Sequence, residues 1–207
     1  MQPVKVIKTA GGKTLNIYRD SSTANPRLSE DVQTRMLFLH ERHQLGDSHS
    51  FKTPAEVEDY VEGLEGSVVM PVFMLLNTAT GYMLLSDTPL NEEPGCTTGQ
   101  LGLMYVDPEL VEEIRFSSDD RETRNLCFSL MEEELETYNE WLNDEVYGYE
   151  LLDTDGSIMQ QETGFFGSDH SQSGLLDDAQ VDVYNDGTAE HVSESCISET
   201  EEVADEA

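Results

Sequence analysis

The residue types best suited to chemistry gather in one short stretch. His40, His43, Asp47 and His49, with Glu41 beside them, offer imidazole and carboxylate ligands that could bind zinc if the chain folded back on itself. The spacing misses the metalloprotease signature. His40-Glu41-Arg42-His43 has one residue too few between the glutamate and the second histidine to place both imidazoles on one helical face. Structural or surface histidines are therefore expected, and no metal or other cofactor is assigned. Other signatures fail in their own ways. No GxSxG elbow is present, and Gly99-Gln100-Leu101-Gly102 is too short to cradle a phosphate, so it reads as a turn entering a strand. Cys127 falls on the apolar side of a helical pattern and reads as core packing. Asp153-Thr154-Asp155-Gly156 begins like a calcium loop, but Gly164 stands where the bidentate glutamate belongs, which leaves a hairpin turn. Paired acids of the glycosidase kind cannot be singled out among so many carboxylates.

The carboxylates themselves are the dominant feature. The 207 residues carry 43 Asp and Glu against 11 Lys and Arg, a net charge of −32 and a pI near 4.1. Such a surface repels nucleic acid, whose binding depends on clustered Lys and Arg releasing counterions. No Lys or Arg follows Arg124. Along a helix expected from about 119 to 143, Met131, Leu135, Tyr138 and Leu142 form an apolar stripe. The opposite side carries Glu132, Glu133, Glu136 and Glu140, followed by Asp144 and Glu145. Acidic helix faces usually gain from Glu-to-Lys pairs one turn apart; this one forgoes them. Duplex DNA has one charge per ~1.7 Å of axis, so 32 charges match about 54 Å of duplex. If helical, Glu133 to Asp144 spans about 16 Å. A second acidic set, Glu58, Asp59, Glu62 and Glu65, lies on a shorter helix.

The elements that must position these residues follow from local patterns. Val4 to Lys8 and Lys13 to Tyr18 flank Ala10-Gly11-Gly12 and predict a β-hairpin. Asn25-Pro26-Arg27 marks a loop, because the residue before proline is pushed out of the α region. Met36 to Leu39 is a buried run that periodicity does not assign to strand or helix. Thr53-Pro54-Ala55-Glu56 predicts a helix start by hydroxyl cap, N1 proline and N3 glutamate, with Val57, Tyr60, Val61 and Leu64 inward. Residues 68–76 and 82–85 predict two hairpin strands, with Pro71 at an edge or bulge. Leu101 to Val106 is a further strand, Asp107-Pro108 opens a helix to about Ile114, and Glu145 to Leu152 is a strand turned by Asp155-Gly156. Strands and helices without a βαβ rhythm predict α+β, with a mainly antiparallel sheet and two or three helices packed on it. One domain over 1–167 is expected. Residues 168–207, acidic and poor in apolar side chains, are expected to be a disordered tail. The hydrophobic content of 37% suits one modest core.

The ordered motifs Asn25-Pro26-Arg27, Gly81-Tyr82-Met83-Leu84-Leu85-Ser86 with Pro89, Gly99 to Val106, Val146-Tyr147-Gly148-Tyr149 and Gly164-Phe165-Phe166-Gly167 resemble a largely uncharacterised family of acidic proteins from phages and mobile elements. The resemblance covers roughly residues 4–167 and implies a mobile-element setting. Gln161-Glu162-Thr163 stands where that family commonly has a cysteine and a tryptophan.

Charge and setting together predict a non-enzymatic DNA mimic that inhibits a host defence complex, of the restriction or CRISPR kind. Its partner would be a basic nucleic-acid-binding protein of the host. The expected contacts are Glu132, Glu133, Glu136, Glu140, Asp144 and Glu145, then Glu58, Asp59, Glu62 and Glu65. Two other classes compete: a small metal-dependent enzyme using His40, His43, Asp47 and His49, and an acidic accessory protein acting through its tail. Halophilic solubility is a further source of acidic surface. Three widely spaced cysteines fit reduced thiols, and the absence of a signal h-region or long apolar run predicts a cytoplasmic protein.

Overall fold

The computed structural model describes residues 2–9, 11–115 and 120–181. In chain order the elements are β1 (Lys5–Lys8), β2 (Thr14–Arg19), a 3-10 turn (Pro26–Leu28), β3 (Arg35–Phe38), α1 (Pro54–Glu62), β4 (Val68–Asn77), β5 (Met83–Ser86), β6 (Cys96–Val106), α2 (Pro108–Ile114), α3 (Asp120–Leu142), β7 (Val146–Leu152), β8 (Ile158–Phe166) and α4 (Leu175–Asp178). All pairings are antiparallel, in two four-stranded sheets ordered β1-β2-β7-β8 and β3-β6-β4-β5. The α+β class expected from the pattern is what forms. Where the sequence reading takes 1–167 as one domain, the chain divides into two compact units, Met1–Thr23 with Asp144 onward, and Ala24–Asn143.

In the first unit, Gly12 takes a φ of +81° between β1 and β2, a conformation glycine adopts without steric penalty. Period-2 alternation turns Ile7, Leu15, Ile17, Tyr147, Tyr149 and Leu151 to one face, where Leu175, Ala179 and Val181 cover them. Residues 168–181 therefore depart from the expected disordered tail. Leu175 is fully buried, and the Tyr149 hydroxyl donates to Asp178 Oδ2 at 2.6 Å. Sparse apolar residues suffice because they are concentrated on one short turn against a preformed sheet face. Residues 182–207, the rest of the expected tail, lie outside the described residues.

In the second unit the sheet is covered on both faces, which is why its strands read as continuous apolar runs without alternation. Met36, Phe38, Val68, Met70, Met104 and Val106 face α2 and α3. Leu37, Tyr105, Leu103 and Val69 face the other way, toward α1. In the unassigned Met36 to Leu39 run, Met36, Leu37 and Phe38 thus belong to a strand buried on both sides, and partly buried Leu39 follows its end. Thr53 caps α1 through Glu56 N–H as expected, whereas Asp107 precedes α2 without a side-chain cap bond. Val57 and Val61 are buried, but Tyr60 is exposed, with its ring tilted against Phe51 and edge-on to Tyr105.

Pro71 pairs with β6 only, since the β5 pairing begins at Phe73, and a register shift follows at Val72/Phe73. Of the two expected settings, Pro71 takes the edge: its side of β4 has no neighbouring strand there, and it stays in register with Leu103 while the shift lies beyond it. Gly99 to Gly102 lies inside β6 and is not a turn entering it. Gly102 is required there because a Cβ would sit 2.1 Å from the Leu37 carbonyl oxygen.

Candidate functional site

Helix α3 is held to its sheet by a stripe at helical spacing. Cys127, Met131, Leu135 and Tyr138 are all buried, and Trp141 stacks on Tyr138 with ring centroids 5.9 Å apart. Burial pushes the Cys127 thiol up despite Arg124, which suits a packing role over a nucleophilic one. The Tyr138 hydroxyl accepts the Gly46 N–H at 2.9 Å.

Two asparagines fix the C-terminal turns. Asn139 accepts from Leu85 N–H and donates to Leu85 O, both at 2.8 Å. Asn143 does the same to Met83, at 3.0 and 2.8 Å. Spaced i, i+4, their amides imitate a paired strand and close the free edge of β5, which otherwise offers unpaired backbone groups. Sequence reading missed this pair; its only trace is two amides one turn apart on the apolar side of the helix.

The outer face of α3 is the opposite in character. Glu132, Glu133 and Glu136 are exposed and Glu140 is half-buried. Among the described residues no ion pair involves Glu132, Glu133 or Glu136. The repulsions Glu132–Glu136, Glu133–Glu136 and Glu136–Glu140 together oppose the helix by on the order of 1 kcal/mol. No basic residue occupies the last turn, where cations would complement the macrodipole. Each well-buried residue of the inner stripe contributes about 1.5–3 kcal/mol, so packing outweighs the repulsion and mounts the charges rigidly. The row from Glu132 to Glu140 covers about 12 Å.

Asp144 and Glu145 do not extend that row. The helix ends at Leu142, Asp144 turns the chain with a φ of +56°, and both residues belong to the first unit. There the Asp144 carbonyl accepts from Arg19 Nη1 at 3.4 Å, and the Glu145 carbonyl accepts from Gly167 N–H. The second expected set, Glu58, Asp59, Glu62 and Glu65, is exposed, but α1 covers the sheet face opposite α3. The two sets therefore stand on helices that cover opposite faces of one sheet.

Glu134, alone in its run, turns inward. Arg27, whose side chain is 3% exposed, binds it together with Asp47; these carboxylates are 18% and 15% exposed. Arg27 meets Asp47 through two bonds of 2.9 Å and donates to the Thr34 carbonyl at 2.8 Å. Glu134 also accepts the N–H groups of Gln33 and Thr34, and Asp47 accepts Met36 N–H at 2.9 Å. Burial works against the Arg27 charge, but Asp47 and then Glu134 outweigh it and raise its pKa. Asn25-Pro26-Arg27 is thus more than a loop: Asn25 Oδ1 accepts Arg27 N–H and starts the 3-10 turn that aims the guanidinium inward.

This network bears on the ligand set of the competing metal-dependent class, His40, His43, Asp47 and His49. Asp47 is committed to Arg27. His40 Nδ1 accepts the backbone N–H groups of Arg42 and His43, and His49 Nε2 donates to the Phe38 carbonyl at 2.9 Å. Among the described residues no three His, Cys, Asp or Glu side chains gather to hold a metal ion. No helix among them is long and apolar enough to cross a membrane.

Two concavities among the described residues bear on the site. One, of about 470 Å³ in the first unit, has Tyr18, Glu150, Gln161 and Thr163 in its lining, with Tyr18 donating to Glu150 at 3.0 Å. The other, of about 310 Å³, lies beside the acidic row between the Pro26–Gln33 segment and α3. No family model, curated protein or solved structure matches the chain.

Proposed function

We propose that the protein is a non-enzymatic inhibitor that mimics DNA and occupies the basic nucleic-acid site of a host defence complex, of the restriction or CRISPR kind. One observation carries this reading: the exposed row of Glu132, Glu133 and Glu136, continued by Glu140, on the outer face of a helix anchored by buried side chains and two asparagine clamps. Solubility alone needs charge but no rigid mounting, and the row persists although mixed charges would stabilise the helix better. A cleft built to neutralise phosphates focuses a positive field, which draws such a row in and fixes its register. The α1 set on the opposite sheet face is left out of that contact. Resemblance to acidic phage and mobile-element proteins supports the setting, and with it action in the host cytoplasm.

The test is capture from a bacterial extract on immobilised protein, followed by elution with duplex DNA or with polyglutamate of equal charge. Release of a DNA-binding protein by duplex at concentrations where polyglutamate fails is the expected result. Equal release by both polymers refutes mimicry.

A further inference from the structure

Beside the acidic row, the 310 Å³ groove has a mixed lining. Half-buried Pro26, Val32 and Leu130 give it apolar walls, and exposed Asp31 and Glu133 stand among them. Its inner side is closed by the Arg27 network, which consumes Glu134 and Asp47 but leaves Asp31 and Glu133 without an ion pair among the described residues. A bare anion-repelling surface needs no groove, and an apolar ligand would not be met by two carboxylates. The lining suits a side chain that is apolar along its stem and cationic at its tip.

We propose that this groove receives an arginine side chain of the protein partner, with its methylene stem against Leu130 and Val32 and its guanidinium between Asp31 and Glu133. Arginine fits better than lysine because its planar fork can address two carboxylates at once, where an ammonium is a single point. Arginine is also enriched among residues that dominate interfaces, and it is a principal phosphate and base contact in DNA-binding clefts. The groove deepens the mimic reading and rests on it: the acidic row supplies field and register, and the groove supplies a specific anchor at one end.

The test uses the full chain and amide NMR titration with N-acetyl-arginine amide. N-acetyl-lysine amide, N-acetyl-norleucine amide and guanidinium chloride serve as comparators. The arginine probe is expected to give saturable shifts at Gln33, Leu130 and Thr137, with at least fivefold tighter binding than any comparator. The double variant D31N/E133Q, at two exposed positions, is expected to weaken it at least fivefold. Equal shifts from guanidinium alone, equal binding of lysine, or shifts spread equally over α1 overturn the proposal.

A second variant, E132K/E136K, separates this proposal from the reading beneath it. Arginine-probe binding is expected to stay within threefold while capture of the partner is lost. Retained capture with a working groove overturns the mimic reading alone. Lost capture with no arginine binding in the wild type overturns the groove alone.

Discussion

Replacing Arg27 by methionine tests the architecture behind the acidic face most severely. The substitution keeps much of the stem volume and removes the one cation that holds Asp47 and Glu134, both largely buried. Breaking a buried pair by removing one partner costs about 3–5 kcal/mol, because the remaining charge is left uncompensated. Here two carboxylates are stranded, while Met36 N–H still serves Asp47 and Gln33 and Thr34 still serve Glu134. A loss within that range is therefore expected, against a total stability of about 5–15 kcal/mol for an ordinary domain. The assay is urea unfolding followed by Trp141 fluorescence. Trp141 is the single tryptophan and stacks on Tyr138 within the same unit, so it reports on that unit. A cycle with E134Q isolates the pair, for which coupling of about 1–3 kcal/mol is expected. A loss below about 1 kcal/mol for R27M, or additivity in the cycle, refutes the view that this network organises the loop against α3.

Three further outcomes follow from the same structure. Replacing Asn139 and Asn143 together by alanine opens the β5 edge, and a loss of about 2–4 kcal/mol is expected with concentration-dependent light scattering; unchanged scattering contradicts edge protection. Gly102→Ala forces a Cβ onto the Leu37 carbonyl and is expected to destabilise by about 3 kcal/mol or more in urea unfolding, whereas Gly99→Ala, with open space around it, stays within about 1 kcal/mol. His170 packs edge-on to Tyr147, and burial, then the Lys5 charge, depress its pKa against the opposing Asp169. The unfolded chain then binds the proton more readily, so stability is present above about pH 6.5 and is lost as pH falls through the depressed folded value. The protection factors of the Leu176 and Ala179 amides, taken against the intrinsic exchange rate at each pH, are expected to fall on acidification from pH 7.5 to 5.5, and H170F to flatten that response.

Local signals carried much of the fold. Thr53-Pro54-Ala55-Glu56, the Gly11-Gly12 turn and the Met131-Leu135-Tyr138 stripe act over one or two turns of chain, and each formed where its chemistry pointed. Elements defined by distant partners were less legible. Met36 to Leu39 reads as neither strand nor helix because helices cover both faces of its sheet, which removes the alternation. Leu175 looks like part of a tail until a sheet face assembled from both ends of the chain gives it somewhere to bury. The site followed the same division. Periodicity placed Glu132, Glu133 and Glu136 on the outer side of α3, but it also counted on Asp144, which a left-handed turn removes from the row. Helical spacing sets Glu134 beside the stripe, three residues after Met131 and four before Tyr138, but the ion pair it makes depends on Arg27, 107 residues away along the chain. The opposed placement of α1 and α3 likewise depends on which sheet face each helix covers.

The most direct measurement of the central claim is partner affinity as a function of salt for three proteins: the wild type, E132K/E133K/E136K on α3, and E58K/D59K/E62K on α1. Both variants change the net charge equally. If the α3 face is what the partner grips, the first variant lowers affinity by about 100-fold or more and flattens the salt dependence, while the second stays within about threefold. Equal losses in both variants contradict the claim, because they leave net charge as the only property the partner senses.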